Sequence, residues 1–201
     1  MRISREHPLL LASASPRRRE LLELARVPFE VVRTAVDESP APGEHALAYA
    51  PRVARAKLAA ACASLPSDLR ERAAVVLSAD TTVLLDGRIF GKPGDDEEAR
   101  AMLRALSGRV HEVMTAFALG DPKSSRLVAE AAVRTSVEMR SLDAAEIDAY
   151  VATAEPRDKA GAYAIQGMAS SLVRRVEGSH TNVIGLPTAE LVMELRRLEL
   201  L

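Results

Sequence analysis

Cysteine is almost absent from these 201 residues: Cys62 stands alone, so no internal disulfide and no cysteine-based zinc site can be built. Tryptophan is missing, and aromatic residues make up only 3%. No purely apolar run exceeds a handful of residues, far short of the roughly 20 that a membrane-spanning helix needs. The apolar core near the N-terminus, Pro8 to Ala12, is too short for a signal peptide, so the cytoplasm is the expected location. An excess of one charge is lacking too. Lys plus Arg total 27 against 28 Asp plus Glu, a formal net charge of −1. Such a balance does not suit a coat of nucleic acid or anionic lipid. His7, His45, His111 and His180 are scattered without metal-binding spacing. G-x-x-x-x-G-K-[ST], G-x-G-x-x-G and G-x-S-x-G are all absent, which sets aside the Walker and Rossmann nucleotide sites and the serine-hydrolase elbow. Any metal site would therefore be oxygen-ligated, which favours Mg²⁺ or Mn²⁺.

What is present is ordinary globular material: 48% hydrophobic and 27% charged residues, enough chain for one large α/β unit spanning 1–201, without repeats or a linker. His7 to Ser13 reads as a buried strand, and Ser15-Pro16 as an N-cap followed by proline at the first helical position. Phe29 to Val32 is a second strand, and Thr34 to Gly43 a loop. Glu44 to Ser64 is an alanine-rich helix that Pro51 should kink or restart. Ala73 to Ser78 is an apolar strand, and Asp86-Gly87 is a two-residue hairpin signal. Asp95 to Leu106 is a helix with an acidic first turn. Strand character returns over Arg109 to Leu119 and Leu127 to Met139. A helix from Asp143 to Thr153, a strand around Leu172 to Val176 and a closing helix from Pro187 to Leu198 complete the pattern.

Four segments can carry chemistry. Ser13-Ala14-Ser15-Pro16-Arg17-Arg18 joins a strand to a helix start, where free N–H groups, hydroxyls and guanidinium groups can hold phosphate oxygens. The alternative is plain capping by serine with both arginines in solvent. In Ser78-Ala79-Asp80-Thr81-Thr82 the acid follows a buried strand, where a carboxylate can hold Mg²⁺ or take a proton from water; the alternative is an Asx turn. Gly91-Lys92-Pro93-Gly94 fixes a lysine on a rigid turn, either as a phosphate-binding point charge or as an ordinary surface residue. In Asp158 to Gly167, Gln166 offers both donor and acceptor to a base edge, or is merely solvated. Lysine is scarce, with four against 23 arginines, and Lys57, Lys92 and Lys159 all fall in or near such segments while Lys123 lies in a plain loop. That distribution suggests an electropositive pocket suited to a triphosphate.

LLLASASPRRRELLE, VDES, VARAKLAAA, SADTTVLLDGRIFGKP, MLRALSGRVHEVMTA, DKAGAYAIQG and VIGLP, in this order over about residues 9 to 188, resemble the Maf family of nucleoside triphosphate pyrophosphatases. The resemblance implies a Maf/Ham1-like α/β fold, a mixed sheet with two lobes around a central cleft, and hydrolysis of a nucleoside triphosphate to monophosphate and pyrophosphate. It further implies a divalent cation as cofactor and a homodimer as the assembly, while the balanced charge and short apolar runs predict no nucleic-acid or membrane partner. Asp80 matches the family's proton acceptor. Ser13, Arg17, Arg18, Glu38, Lys57 and Lys92 match positions that bind phosphates or metal, with Glu38 and Asp80 as the metal carboxylates. Arg17, Thr81 and Gln166 resemble the branch that prefers dTTP and UTP. Two departures stand out: Ala164 replaces a usual glycine, and the stretch between Lys57 and Asp80 is a few residues long. The competing functions are a nucleotide-binding regulator of septum formation that needs no turnover, and a housekeeping pyrophosphatase for purine or 7-methyl-GTP nucleotides.

Overall fold

The computed structural model describes residues 1–201. Leu9–Leu11 (β1) is wholly buried and runs parallel to Phe29–Val31 (β2) on one side and to Val75–Leu85 (β3) on the other, with Leu9 opposite both Phe29 and Val75. The remaining strands are Arg88–Phe90 (β4), Val110–Gly120 (β5), Leu127–Met139 (β6) and Val173–Glu177 (β7). The sheet order is β2-β1-β3-β5-β6-β7, with β4 antiparallel to β3 and β7 antiparallel to β6. This is a mixed α/β fold, as the sequence predicts. No helix is long and apolar enough to cross a membrane.

The helices are Pro16–Leu24 (α1), Ala46–Ser64 (α2), Ser67–Arg72 (α3), Asp96–Leu106 (α4), Ala144–Ala152 (α5), His180–Ile184 (α6) and Thr188–Arg197 (α7). Two begin as their sequences dictate. Asp95 accepts from the Glu98 amide, and Asp143 forms a reciprocal capping box with Glu146. Asp86 and Gly87 take positive φ values of 51° and 74°, the primed turn expected between β3 and β4.

Three local expectations change. Pro51 does not break α2: the buried face that includes Tyr49, Ala50, Val53, Ala54 and Leu58 continues on both sides of it, and that packing outweighs one missing N–H bond. Ser15 occupies the N-cap of α1 but makes no side-chain cap bond; its own amide donates to Ser13 Oγ at 3.3 Å. Asp80 does not follow a strand. It is the sixth of eleven residues in β3, because the segment through Leu85 stays apolar enough to remain in the sheet. The Asx-turn alternative for Asp80 therefore fails.

The chain divides into two compact units. The first comprises 1–80, 115–133 and 185–201, and buries Leu9, Leu11, Leu22, Val53 and Leu77 almost completely. In it Ser78 Oγ donates to the Ala54 carbonyl at 2.7 Å, and a Cβ on Gly120 would begin 2.8 Å from the Leu58 methyl groups, so a larger residue there would have to displace that leucine. The second unit comprises 81–114 and 134–184, with a core that includes Val83, Phe90, Leu103, Val113, Val137 and Ile147.

Candidate functional site

Six of the predicted residues lie in the first unit. Successive side chains on one face of a strand are two residues apart, and neighbours on one face of a helix are three or four apart. Ser78 and Asp80 of β3 therefore meet Ala54 and Lys57 of α2 as two rungs. The first is the Ser78–Ala54 bond, and the second is Lys57 Nζ donating to Asp80 Oδ1 at 2.8 Å. Lys57 also reaches Glu38 Oε2 at 3.0 Å. The side chains of Lys57 and Asp80 are 12% and 7% exposed, against 44% for Glu38. A lysine expected to grip phosphate thus holds the two predicted metal carboxylates together, and its charge offsets their mutual repulsion. Asp80 Oδ2 is buried with no hydrogen-bond partner.

Ser13 and Arg18 form the second cluster. Arg18 is buried, with Nη1 donating to Ser13 Oγ at 2.9 Å and Nε to the Gly185 carbonyl at 2.8 Å. Burial pushes the guanidinium down from its ordinary value, while the fields of Asp80 and Glu38 oppose that shift. Those fields tie the arginine electrostatically to the carboxylate cluster. The alternative of a serine cap with both arginines solvated does not hold for Arg18. Arg17, the next residue of α1 after Pro16, is half-buried.

Two functional positions escaped the sequence reading. Tyr49 Oη donates to the Glu38 carbonyl at 2.7 Å and so fixes the loop that carries Glu38. Burial, together with Asp80 and Glu38, pushes this phenol up to about 12, which keeps it a donor. Its signal was available, since Tyr49, Val53 and Lys57 repeat every four residues along one helix face. Gly185 supplies its carbonyl to Arg18 from within the VIGLP segment, to which the sequence alone assigns no role.

Thr81, Lys92 and Gln166 belong to the second unit. Thr81 shares a face of β3 with Val83, and Val83 packs against Gly161: a Cβ on Gly161 would meet it at 2.8 Å. The Gly161 amide donates to the Gly91 carbonyl at 3.0 Å, which ties the Lys92 turn to the 159–167 segment. Lys92 and Gln166 are exposed. Lys159 pairs with its neighbour Asp158, and Lys123 pairs with Glu71 at 2.9 Å on the surface.

The family model described as Maf-like protein matches residues 8–198. The chain belongs to the Maf family. Among its relatives, a dTTP/UTP pyrophosphatase of Geobacter sp. (strain M21) is 50% identical over 188 residues, 94% of each chain. One of Yersinia pestis bv. Antiqua is 50% identical over 182 residues, 90% of this chain and 88% of that one. One of Geobacter sulfurreducens is 48% identical over 190 residues, 94% of this chain and 96% of that one. The chain is also similar to a solved HAM1 protein from Coxiella burnetii at 17% identity and a TM-score of 0.48, covering 95% of this chain and 99% of that one.

Proposed function

We propose that this Maf-family chain hydrolyses dTTP and UTP to the nucleoside monophosphate and pyrophosphate. The substrate class rests on relatives of that printed name at about half identity over nearly the whole chain. The observation that carries the chemistry is Asp80, a buried carboxylate with one oxygen held by Lys57 and the other without a hydrogen-bond partner.

In this reading Asp80 accepts the proton of a water whose oxygen attacks the α-phosphorus. The bond from the α-phosphorus to the bridging oxygen breaks, and pyrophosphate leaves carrying that oxygen and the bonding electrons. Arg17, Arg18, Lys57 and Lys92 neutralise the phosphates, whose growing charge is the main electrostatic demand of such a reaction. Ser13 adds a hydroxyl donor, and Thr81 and Gln166 select the base.

The donor set fits a hard divalent cation, Mg²⁺ or Mn²⁺. The carboxylates of Glu38 and Asp80 would be its oxygen donors, and no third His, Cys, Asp or Glu joins them. Such cations are commonly held by one or two carboxylates together with substrate phosphates. When bound, the cation would supply charge neutralisation and a more acidic water. A nucleotide substrate is in keeping with a cytoplasmic location.

The test is pyrophosphate release from a panel of nucleoside triphosphates with Mg²⁺ or Mn²⁺, run beside Asp80→Asn. Release from dTTP and UTP should fall by about two to four decades in the variant. Near-wild-type turnover in Asp80→Asn would remove Asp80 from the base role. Tight nucleotide binding without release, by the wild type, would favour the regulator of septum formation instead.

A further inference from the structure

The loop that presents Gln166 is held at both ends by one phenol–carboxylate pair, all of it within the second unit. Tyr150, on α5, donates from Oη to Glu155 Oε1 at 2.8 Å and accepts the Ala164 amide at 3.3 Å. Glu155 Oε2 accepts the Met168 amide at 3.0 Å, and Oε1 faces the Ala169 amide at 3.5 Å. Between these anchors the Gly167 amide closes onto the Ala164 carbonyl at 2.9 Å, so Gln166 occupies a turn whose entry and exit share one support. The carboxylate lies flush against Gly167. A Cβ there would run into the Glu155 carboxylate, so a larger residue would push Glu155 off the amides beyond it. Burial and the neighbouring carboxylate push the Tyr150 phenol well above its ordinary range, which keeps the proton on its oxygen.

Gln166 itself is exposed, and Met168 beside it is 60% exposed, so little side-chain packing surrounds the amide. Hydrogen bonds weaken steeply with misalignment, so an amide that discriminates between bases needs a fixed backbone beneath it. We propose that Glu155, oriented by Tyr150, is a positioning residue for base selection: it fixes the 164–169 loop so that the Gln166 amide meets the edge of a uracil or thymine. Glu155 acts through the loop backbone and does not touch the nucleotide. This rests on the reading of Gln166 as the base-selecting residue.

The experiment measures kcat/KM for UTP and for CTP in the wild type, Gln166→Ala, Glu155→Gln and Tyr150→Phe. Glu155→Gln places an NH₂ against amides that need an acceptor, and Tyr150→Phe removes the bridging hydroxyl while keeping the ring. The UTP-over-CTP ratio should narrow about tenfold in each, the effect of one misplaced hydrogen bond to the base. The ratio does not depend on the fraction of folded enzyme, so a merely structural role would lower Tm and yield without moving it. A ratio narrowed by Gln166→Ala but unmoved by both Glu155→Gln and Tyr150→Phe would overturn the positioning role and leave the base-selecting role of Gln166 standing. If Gln166→Ala itself leaves the ratio unmoved, the underlying reading of Gln166 falls, and the positioning role with it.

Discussion

Replacing Lys57 with methionine removes the ammonium that holds Asp80 and Glu38 while keeping the bulk of the stem on α2. The two carboxylates are not equivalent. Asp80 is 7% exposed and bonded at 2.8 Å, whereas Glu38 is 44% exposed at 3.0 Å. Breaking one partner of a buried pair leaves an uncompensated charge and costs about 3–5 kcal/mol. The Glu38 contact, screened by solvent, adds less than about 1 kcal/mol. At about 2–4 °C per kcal/mol for a chain of this size, Tm should fall on the order of 10 °C. The double variant Lys57→Met/Asp80→Asn removes both charges and should recover most of that loss, with a coupling energy of about 2–3 kcal/mol. Pyrophosphate release should stay low in both. Urea and thermal unfolding of the wild type, both single variants and the double variant complete the cycle. If Lys57→Met melts within ~2 °C of wild type, or the double variant is no more stable than the single, the buried pair does not hold Asp80 in place.

His111 and Arg18 give two further tests. His111 Nε2 meets Tyr163 Oη at 2.7 Å, while Nδ1 is buried without a partner, and burial pushes the imidazole from 6.5 down to about 4. The unfolded chain therefore binds the proton at higher pH than the folded one, and stability present above about 6.5 is lost as pH falls toward 4, by about 3 kcal/mol in all. His111→Gln should lack this slope; urea curves at pH 7 and pH 4.5 that shift equally in both proteins would contradict it. Arg18→Lys keeps the charge, but an ammonium cannot reproduce the planar fork that reaches both Ser13 and Gly185. A loss of about 1–3 kcal/mol in stability and a fall of about 10–100-fold in kcat/KM are expected, and full activity would show that charge alone suffices there.

Most strands and helices were legible because local chemistry marks them: the Asp86-Gly87 turn, the acidic first turn of α4, and proline at the start of α1. What was not legible depends on partners far along the chain. Asp80 looked like the end of a strand because a carboxylate interrupts an apolar run. It stays inside β3 with the apolar residues that follow, and its carboxylate is met there by Lys57, 23 residues earlier, a partner that no local pattern reveals. Pro51 suggests a kink or a restart because the buried face of α2 cannot be weighed before its packing partners are known. The turns at 155–158, 160–162 and 168–171 are too short to show any period. Glu155 was invisible for a different reason. Its acceptor oxygens serve backbone amides thirteen and fourteen residues away, and a backbone amide carries no side-chain signature.

Lysine scarcity proved a signal of mixed value, and the structure explains why. Lys123 and Lys159 each pair with an acid, Glu71 and Asp158, and such pairs do not require lysine rather than arginine. Lys57 is different. Its ammonium donates to Asp80 and pairs with Glu38, two carboxylates from separate segments, within a site that leaves its side chain 12% exposed. An ammonium is compact and turns three donors freely, whereas a guanidinium is a broad plane that prefers one carboxylate in a fork. The converse holds at Arg18, where a planar fork spans a hydroxyl and a carbonyl. The choice of cation at each position thus follows from the directions of its acceptors. Lys57→Arg therefore separates geometry from charge: it keeps the charge but offers Asp80 and Glu38 a planar fork in place of a freely turning ammonium.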